Sequence, residues 1–322
     1  MKVVDMHCDT IGALYEAEQR GEPVSLLENG LHLDLKKMEK GDYFLQNFAL
    51  FVDLGHTDEP FKTCVSMADL FYREMEKNRD RIAPVTTWKE MEENWRQGKM
   101  SALLTLEEGE VCEGNPAFLR TLYRLGARMM TLTWNYENSL AWPGKGGGVP
   151  ETERGLKQRG FEILEEMESL GMIVDVSHLS DAGILDVLKA AKKPFVASHS
   201  DARSLASHSR NLTDEMIRGI AEKGGVIGIN YCCSFLEDIP EGQKPVSRIA
   251  RIIDHMKHIR QVGGIGCLGL GSDYDGITGE LELPTAAALP RLAQAMEEAG
   301  FTASEVEDVF YRNVLGLYRE LL

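Results

Sequence analysis

Ile173-Val174-Asp175-Val176-Ser177-His178 decides the fold of this chain: a short β-branched run that ends on an imidazole. The same form recurs in Val3-Val4-Asp5-Met6-His7-Cys8-Asp9, Ala102-Leu103-Leu104-Thr105-Leu106-Glu107, Phe195-Val196-Ala197-Ser198-His199 and Leu268-Gly269-Leu270-Gly271-Ser272-Asp273. Runs this apolar are buried on both faces, as in a parallel sheet. Metal-ligand chemistry at the C-terminal ends of such strands is how a catalytic barrel reads in sequence.

Outward from that stretch, strands are predicted near residues 2–8, 43–53, 102–107, 129–134, 172–178, 194–199, 225–231 and 267–273. Amphipathic stretches with apolar residues at three-to-four spacing separate them, at 116–124, 153–170, 180–191 and 213–223. Further helices are predicted at 60–78, 87–98, 246–262, 286–299 and 303–321. Ser180 and Thr213 read as N-caps, and Thr302 or Ser304 starts the last helix. About eight strands alternating with helices favour a TIM-like (β/α)8 barrel over a doubly wound sheet, which would need a second domain for the remainder. With no repeat and no linker, residues 1–322 read as a single domain. Residues 10–42 read as less regular, capping one end or forming a small helical excursion. Pro143-Gly144-Lys145-Gly146-Gly147-Gly148-Val149-Pro150 reads as a rim loop, because no Ser or Thr follows its Gly-Lys pair as a phosphate loop requires.

The net charge of −16 repels phosphate backbones and anionic lipid, so nucleic-acid and membrane-surface partners are not expected. Six cysteines without C-x-x-C spacing form neither a disulfide framework nor a zinc ribbon. With no signal sequence and no run of roughly 18 apolar residues, a soluble protein of the reducing cytoplasm is expected.

His7 and Asp9, two residues apart on an extended strand, point to one side while Cys8 points to the other. Glu107, His178, His199 and Asp273 end further strands. Two or three imidazoles with several carboxylates suit Zn²⁺, with Mn or Fe as alternatives. Glu107 lies between the two groups in strand order and is placed to bridge two metals, which would acidify a shared water. Glu108 points away from Glu107. His32, His56, His208, His255 and His258 lack strand-end placement and read as structural or solvated. Cys232 and Cys233 follow a strand end and read as ordinary buried thiols, with pocket lining as the alternative.

Met6-His7-Cys8-Asp9, Leu106-Glu107, Val174-Asp175-Val176-Ser177-His178, Ala197-Ser198-His199-Ser200, Ser209-Arg210-Asn211 and Gly271-Ser272-Asp273-Tyr274-Asp275-Gly276 together resemble the membrane (renal) dipeptidase family of zinc peptidases. The resemblance spans nearly the whole chain and is to a soluble, microbial-type member. It implies an amidohydrolase-like barrel with a binuclear zinc centre that hydrolyses dipeptides through a bridging hydroxide. One zinc would take His7, Asp9 and Glu107; the other, Glu107, His178 and His199. The resemblance also implies Asp273 as acid/base, where the residues alone leave it open as a metal ligand or as a cap for the turn Tyr274-Asp275-Gly276, and Arg210 as the anchor for the substrate carboxylate, a role that guanidinium geometry suits. The mammalian member has a His at the end of the fourth strand where this chain has Trp134, followed by Asn135. An indole N–H donates one hydrogen bond and carries no charge, so the departure touches oxyanion stabilisation and side-chain preference, not the metals. Trp134, Asn135 and Tyr231 are the further substrate-binding residues expected. The rival readings are another amidohydrolase reaction, on a cyclic amide, lactam or N-acyl amino acid, and a non-catalytic metal-binding scaffold. A homodimer is the default assembly expected.

Overall fold

The computed structural model describes residues 1–144, 150–240 and 242–322; residues 145–149 of the glycine-rich loop lie outside them. Eight parallel strands form a closed ring: β1 (Val3–Asp5), β2 (Tyr43–Phe51), β3 (Met100–Glu107), β4 (Met129–Thr131), β5 (Ile173–Asp175), β6 (Val196–Ala197), β7 (Val226–Ile229) and β8 (Leu268–Leu270). Each pairs with the next in chain order, and β8 returns to β1. The expected TIM-like (β/α)8 barrel is therefore present.

Register brings the functional ends of the strands to one level. Phe51 is opposite Glu107, Glu107 opposite Thr131, and Thr131 opposite Asp175, a row crossing four strands. Below that row the barrel is filled by Val4, Leu45, Leu103, Met129, Ile173, Val196 and Val226, packed with Val314, Leu317 and Tyr318 of the last helix. Burying each such aliphatic side chain stabilises the fold by roughly 1.5–3 kcal/mol, so the N-terminal end is a packed plug and chemistry is confined to the other.

The strands are shorter than their apolar runs, and the differences have local causes. β1 stops at Asp5 and β5 at Asp175 because each carboxylate accepts the backbone N–H two residues on (His7, 3.2 Å; Ser177, 3.0 Å), turning the chain out of the ladder. Helices start later than their periodicity suggests. The helix expected from 153 begins at Gln158, and the one expected from 246 begins at Ile249, because Val246–Ser247 pairs instead with Glu280–Leu281. Residues 10–42 contain two helices, Thr10–Gln19 and Leu35–Lys40, and a short strand at Ile82–Val85 extends the N-terminal half of β3. The last helix is interrupted by a π-helical turn at Asp308–Arg312. Ser180, Thr213 and Thr302 cap their helices as expected, accepting from Gly183, Met216 and Glu305 N–H groups.

Candidate metal centre

At the C-terminal mouth of the barrel, His7, Asp9, Glu107, His178, His199 and Asp273 converge, all buried. Only Glu107 lies within a strand; the others sit two to four residues beyond one. His7 and Asp9 face the same point although the strand has ended: Asp9 stands immediately before the helix Thr10–Gln19, and its Oδ2 lies 3.3 Å from His7 Nε2.

Glu107 divides its two oxygens between two groups. Oε2 is 3.2 Å from His7 Nε2, while Oε1 is 3.0 Å from His178 Nε2 and 3.6 Å from His199 Nε2. Donor atoms of His7, Asp9 and Glu107 lie within 4.8 Å of one another, as do those of Glu107, His178 and His199. His7 and His199 stack with ring centroids 3.8 Å apart. Asp273 adds a third carboxylate, with Oδ1 3.8 Å from His7 Nε2 and Oδ2 accepting from Asn230 Nδ2 at 2.9 Å.

This donor set fits metal ions. Asp9 Oδ1 is buried without a hydrogen-bond partner. The Nε2 atoms of His178 and His199 face each other at 3.0 Å, with a carboxylate oxygen beside both. Burial raises the Asp9 and Asp273 carboxyls, and neighbouring carboxylates add to the shift. Burial would lower His7, but Glu107 and Asp9 outweigh it and push the imidazole well above its ordinary value. The site thus concentrates negative charge where a cation would neutralise it. His178 and His199 are held well below the ordinary value, by burial first and then by neighbouring cationic groups including Arg210 and His7, so both stay neutral donors.

The backbone is strained where these side chains project. His178 (φ 67°), Asp273 (φ 60°), Asp275 (φ 71°) and Glu108 (φ 97°) occupy left-handed or rarer conformations, each costing on the order of 1–3 kcal/mol. Gly276 is required by contact: a β-carbon there would lie 2.1 Å from Asp9 Oδ2 and 2.5 Å from Asp273 Oδ1.

A cavity of about 670 Å³ opens onto the centre, lined among others by Asp9, Phe51, Met67, Glu107, Trp134, Asn135, His178, Cys232, Phe235 and Asp273. Trp134 packs between Phe51 (4.7 Å between ring centroids) and His178 (6.2 Å). Asn135 Oδ1 faces His178 Nδ1 at 3.1 Å, so this residue touches that imidazole as well as the cavity. Arg210 is buried against Phe235 and beside His199, whose carbonyl accepts from Nη2 at 3.4 Å; its Nε has no partner, Asp273 and Glu107 act on its charge without a direct ion pair among the described residues, and it is not among the lining residues of the cavity. Tyr231 is fully buried, edge-on to Tyr274, and is not among the lining residues. Cys232 lines the cavity and Cys233 is buried, and all six cysteines are free thiols. Among the other histidines, His255 accepts from Ala202 N and faces the Leu236 carbonyl, while His56 stands exposed at the rim beside Asp53.

Reasoning from sequence passed over several residues that hold this arrangement. Asn230 ends β7 and fixes Asp273; Asp5 ties His7 N–H to Ser272 N–H; Asp175 and Ser198 back His199. Glu108 accepts from Glu110 N, Trp134 N and Asn138 Nδ2, so it anchors the loop that carries Trp134.

The model of the membrane dipeptidase family (peptidase family M19) matches residues 1–321. The chain belongs to that family. This membrane dipeptidase relative is 33% identical over 313 residues to an uncharacterized dipeptidase of Schizosaccharomyces pombe, covering 91% of this chain and 73% of that one. It is 28% identical to dipeptidase tcpJ of Claviceps purpurea, covering 95% and 73%. In three dimensions it superposes on the crystal structure of a family M19 dipeptidase, dipeptidase AC, with a TM-score of 0.93, 25% identity and coverage of 100% and 98%. A Rhodobacter sphaeroides metallopeptidase bound to a phosphinate mimic of L-Ala-D-Ala has the same fold (TM-score 0.90, 24% identity, coverage 100% and 99%). As a family member, the protein is a metallo-dipeptidase with peptide substrates. No helix among the described residues is long and apolar enough to cross a membrane.

Proposed function

We propose that the protein is a zinc-dependent dipeptidase holding two zinc ions, one on His7, Asp9 and Glu107, the other on Glu107, His178 and His199, with Glu107 shared between them. The observation that carries this reading beyond a general amidohydrolase is Arg210, a buried guanidinium without a carboxylate partner among the described residues, set against the strand end that bears His199. A buried guanidinium that carboxylates reach only through space, without a direct ion pair, keeps N–H groups free that a ligand carboxylate can take. A dipeptide carries that carboxylate one residue from its scissile amide, about 3.8 Å in Cα spacing. The phosphinate dipeptide mimic held by the Rhodobacter sphaeroides structure supports the same substrate class.

Held by His7, Asp9, Glu107, His178 and His199, the metal ions would supply Lewis acidity for the peptide carbonyl and would make a water more acidic near neutral pH. The chain supplies the rest. Arg210 orients the substrate through its carboxylate. Asp273, aimed by Asn230, takes the proton of the attacking water on Oδ1 and passes it to the leaving amine. Trp134 and Phe51 form an aromatic wall, and Asn135 stands beside it. In this reading the indole supplies shape where the mammalian enzyme has a titratable ring.

Metal content and cleavage of L,L- and L,D-dipeptides, measured on the same preparation, test the proposal. Near two zinc per chain with chelator-sensitive cleavage is the expected result. Metal without cleavage of any dipeptide, alongside turnover of a cyclic or acylated amide, would move the assignment to that class.

A further inference from the structure

We propose that Asp175 and Ser198 form a relay that fixes the tautomer of His199, making both residues positioning groups for the metal on the His178–His199 side. The inference rests on the metal-centre reading above and concerns this chain's own hydrogen-bond order.

Asp175 is buried at the end of β5 and fully occupied. Its Oδ1 accepts the backbone N–H groups of Ser177 (3.0 Å) and Ser198 (2.9 Å). Its Oδ2 accepts the hydroxyls of Thr131 (2.8 Å) and Ser198 (2.5 Å). Both oxygens of Asp175 are occupied as acceptors and Ser198 Oγ donates to Oδ2, so the hydroxyl spends its single proton there. Ser198 Oγ also lies 2.7 Å from His199 Nδ1. With its proton committed, Oγ can only accept there, so His199 carries its proton on Nδ1. The remaining lone pair is then on Nε2, 3.6 Å from Glu107 Oε1 and 3.0 Å from His178 Nε2. The opposite tautomer would aim an N–H at the place a cation must occupy. The backbone N–H of His199 donates to Ser177 Oγ at 3.1 Å, fixing the main chain, while the ring itself is stacked on His7 with centroids 3.8 Å apart.

The order of donors makes a prediction that simple packing does not. In Asp175→Asn, the two backbone N–H groups require the amide oxygen at the Oδ1 position, which leaves the NH2 facing Ser198. Ser198 Oγ then accepts, its proton turns to His199 Nδ1, and the imidazole proton moves to Nε2. Ser198→Ala merely frees Nδ1. Loss of a group that orients a metal ligand typically weakens metal binding about 10- to 100-fold. Asp175→Asn is therefore expected at the upper end of that range and Ser198→Ala at the lower. The double variant should bind zinc more tightly than Asp175→Asn alone, because the misdirected hydroxyl is gone.

The experiment is zinc affinity by chelator competition for wild type and the three variants, with ¹⁵N spectra of the metal-free imidazoles and thermal unfolding of each metal-free protein as the control for folding. Partial recovery in the double variant, with the His199 proton on Nδ1 in wild type and on Nε2 in Asp175→Asn, supports the relay. Additive losses, or a His199 proton already on Nε2 in wild type, overturn it. Should Asp175→Asn fail to fold, Ser198→Ala against Ser198→Thr decides: the threonine hydroxyl should restore affinity, and equal loss in both overturns the relay. Wild type that takes up no zinc would instead sink the metal-centre reading on which the relay rests.

Discussion

The two halves of the centre share Glu107 and differ in almost everything else. On the β1 side, Asp9 and Asp273 crowd His7, whose imidazole is pushed well above its ordinary value by the carboxylates around it. On the β5–β6 side, His178 and His199 are held well below theirs by burial and by cations, and hydrogen bonds to Asn135 and Ser198 fix their rings. In the proposed reading, the first half would attract a cation by charge, and the second would receive it with neutral, oriented donors. The asymmetry follows the reaction proposed above. Asp273, which must accept a proton, sits with the carboxylates that raise its proton affinity, and Arg210, which must hold an anion, forms no direct ion pair among the described residues, although Asp273 and Glu107 act on its charge through space.

The shared residue gives the largest expected effect. Glu107→Gln should weaken both sites together and reduce kcat/KM by on the order of 10³-fold or more, since several kcal/mol of metal-derived transition-state stabilisation are lost. Zinc counted by mass spectrometry under native conditions checks it. One site emptied and the other still full would break the picture of a carboxylate divided between halves.

On the acidic side, Asp273→Asn should keep its zinc and lose about 10²- to 10⁴-fold in kcat, the usual worth of a positioned acid/base. Undiminished turnover would remove Asp273 from the chemistry. On the neutral side, Arg210→Ala should lower kcat/KM about 10²-fold for free dipeptides. A dipeptide amide, already lacking the carboxylate, should lose little. Equal losses for both substrates would mean that the guanidinium supports the fold of the mouth rather than the ligand.

The barrel and the gathering of histidines and carboxylates at its mouth were legible because both rest on one-dimensional signals. A buried parallel strand is a continuous apolar run, and a polar residue at its end has nowhere to point but the mouth. The backing groups were not legible, for the opposite reason. Asp5 and Asp175 interrupt apolar runs and read as blemishes in a strand; only the fold shows each clasping a backbone N–H of a neighbouring strand, Ser272 or Ser198. Asn230 and Tyr231 are adjacent at the end of β7, and side-chain alternation allows one of them to face the mouth. The tyrosine was expected there, yet it turns into the wall against Tyr274 while Asn230 reaches Asp273. Helix starts were misplaced where a nearby pairing, such as that of Val246–Ser247 with Glu280–Leu281, won over periodicity.

Glu108 gives the smallest expected effect and sharpens the contrast between adjacent carboxylates. It follows Glu107 directly, but its positive φ turns it to Glu110, Trp134 and Asn138, away from the ligands. Burial raises its carboxyl from 4.5 to about 7, against the pull of those donors. Because the folded value lies above the unfolded one, the folded state holds this proton more tightly. Its contribution to stability is greatest below pH 4.5, declines as pH rises, and levels off above about 7. Between pH 5 and pH 8 that amounts to a loss on the order of 2 kcal/mol. Glu108→Gln should be less stable at every pH, since an NH2 then meets donors, but the metal-free protein's unfolding free energy should fall less steeply across that interval. Denaturant titrations at the two pH values read the slope directly. An unchanged slope would assign the pH dependence to Asp9 and Asp273, the acidic half itself, and leave Glu108 as a strut whose charge does not vary in the physiological range.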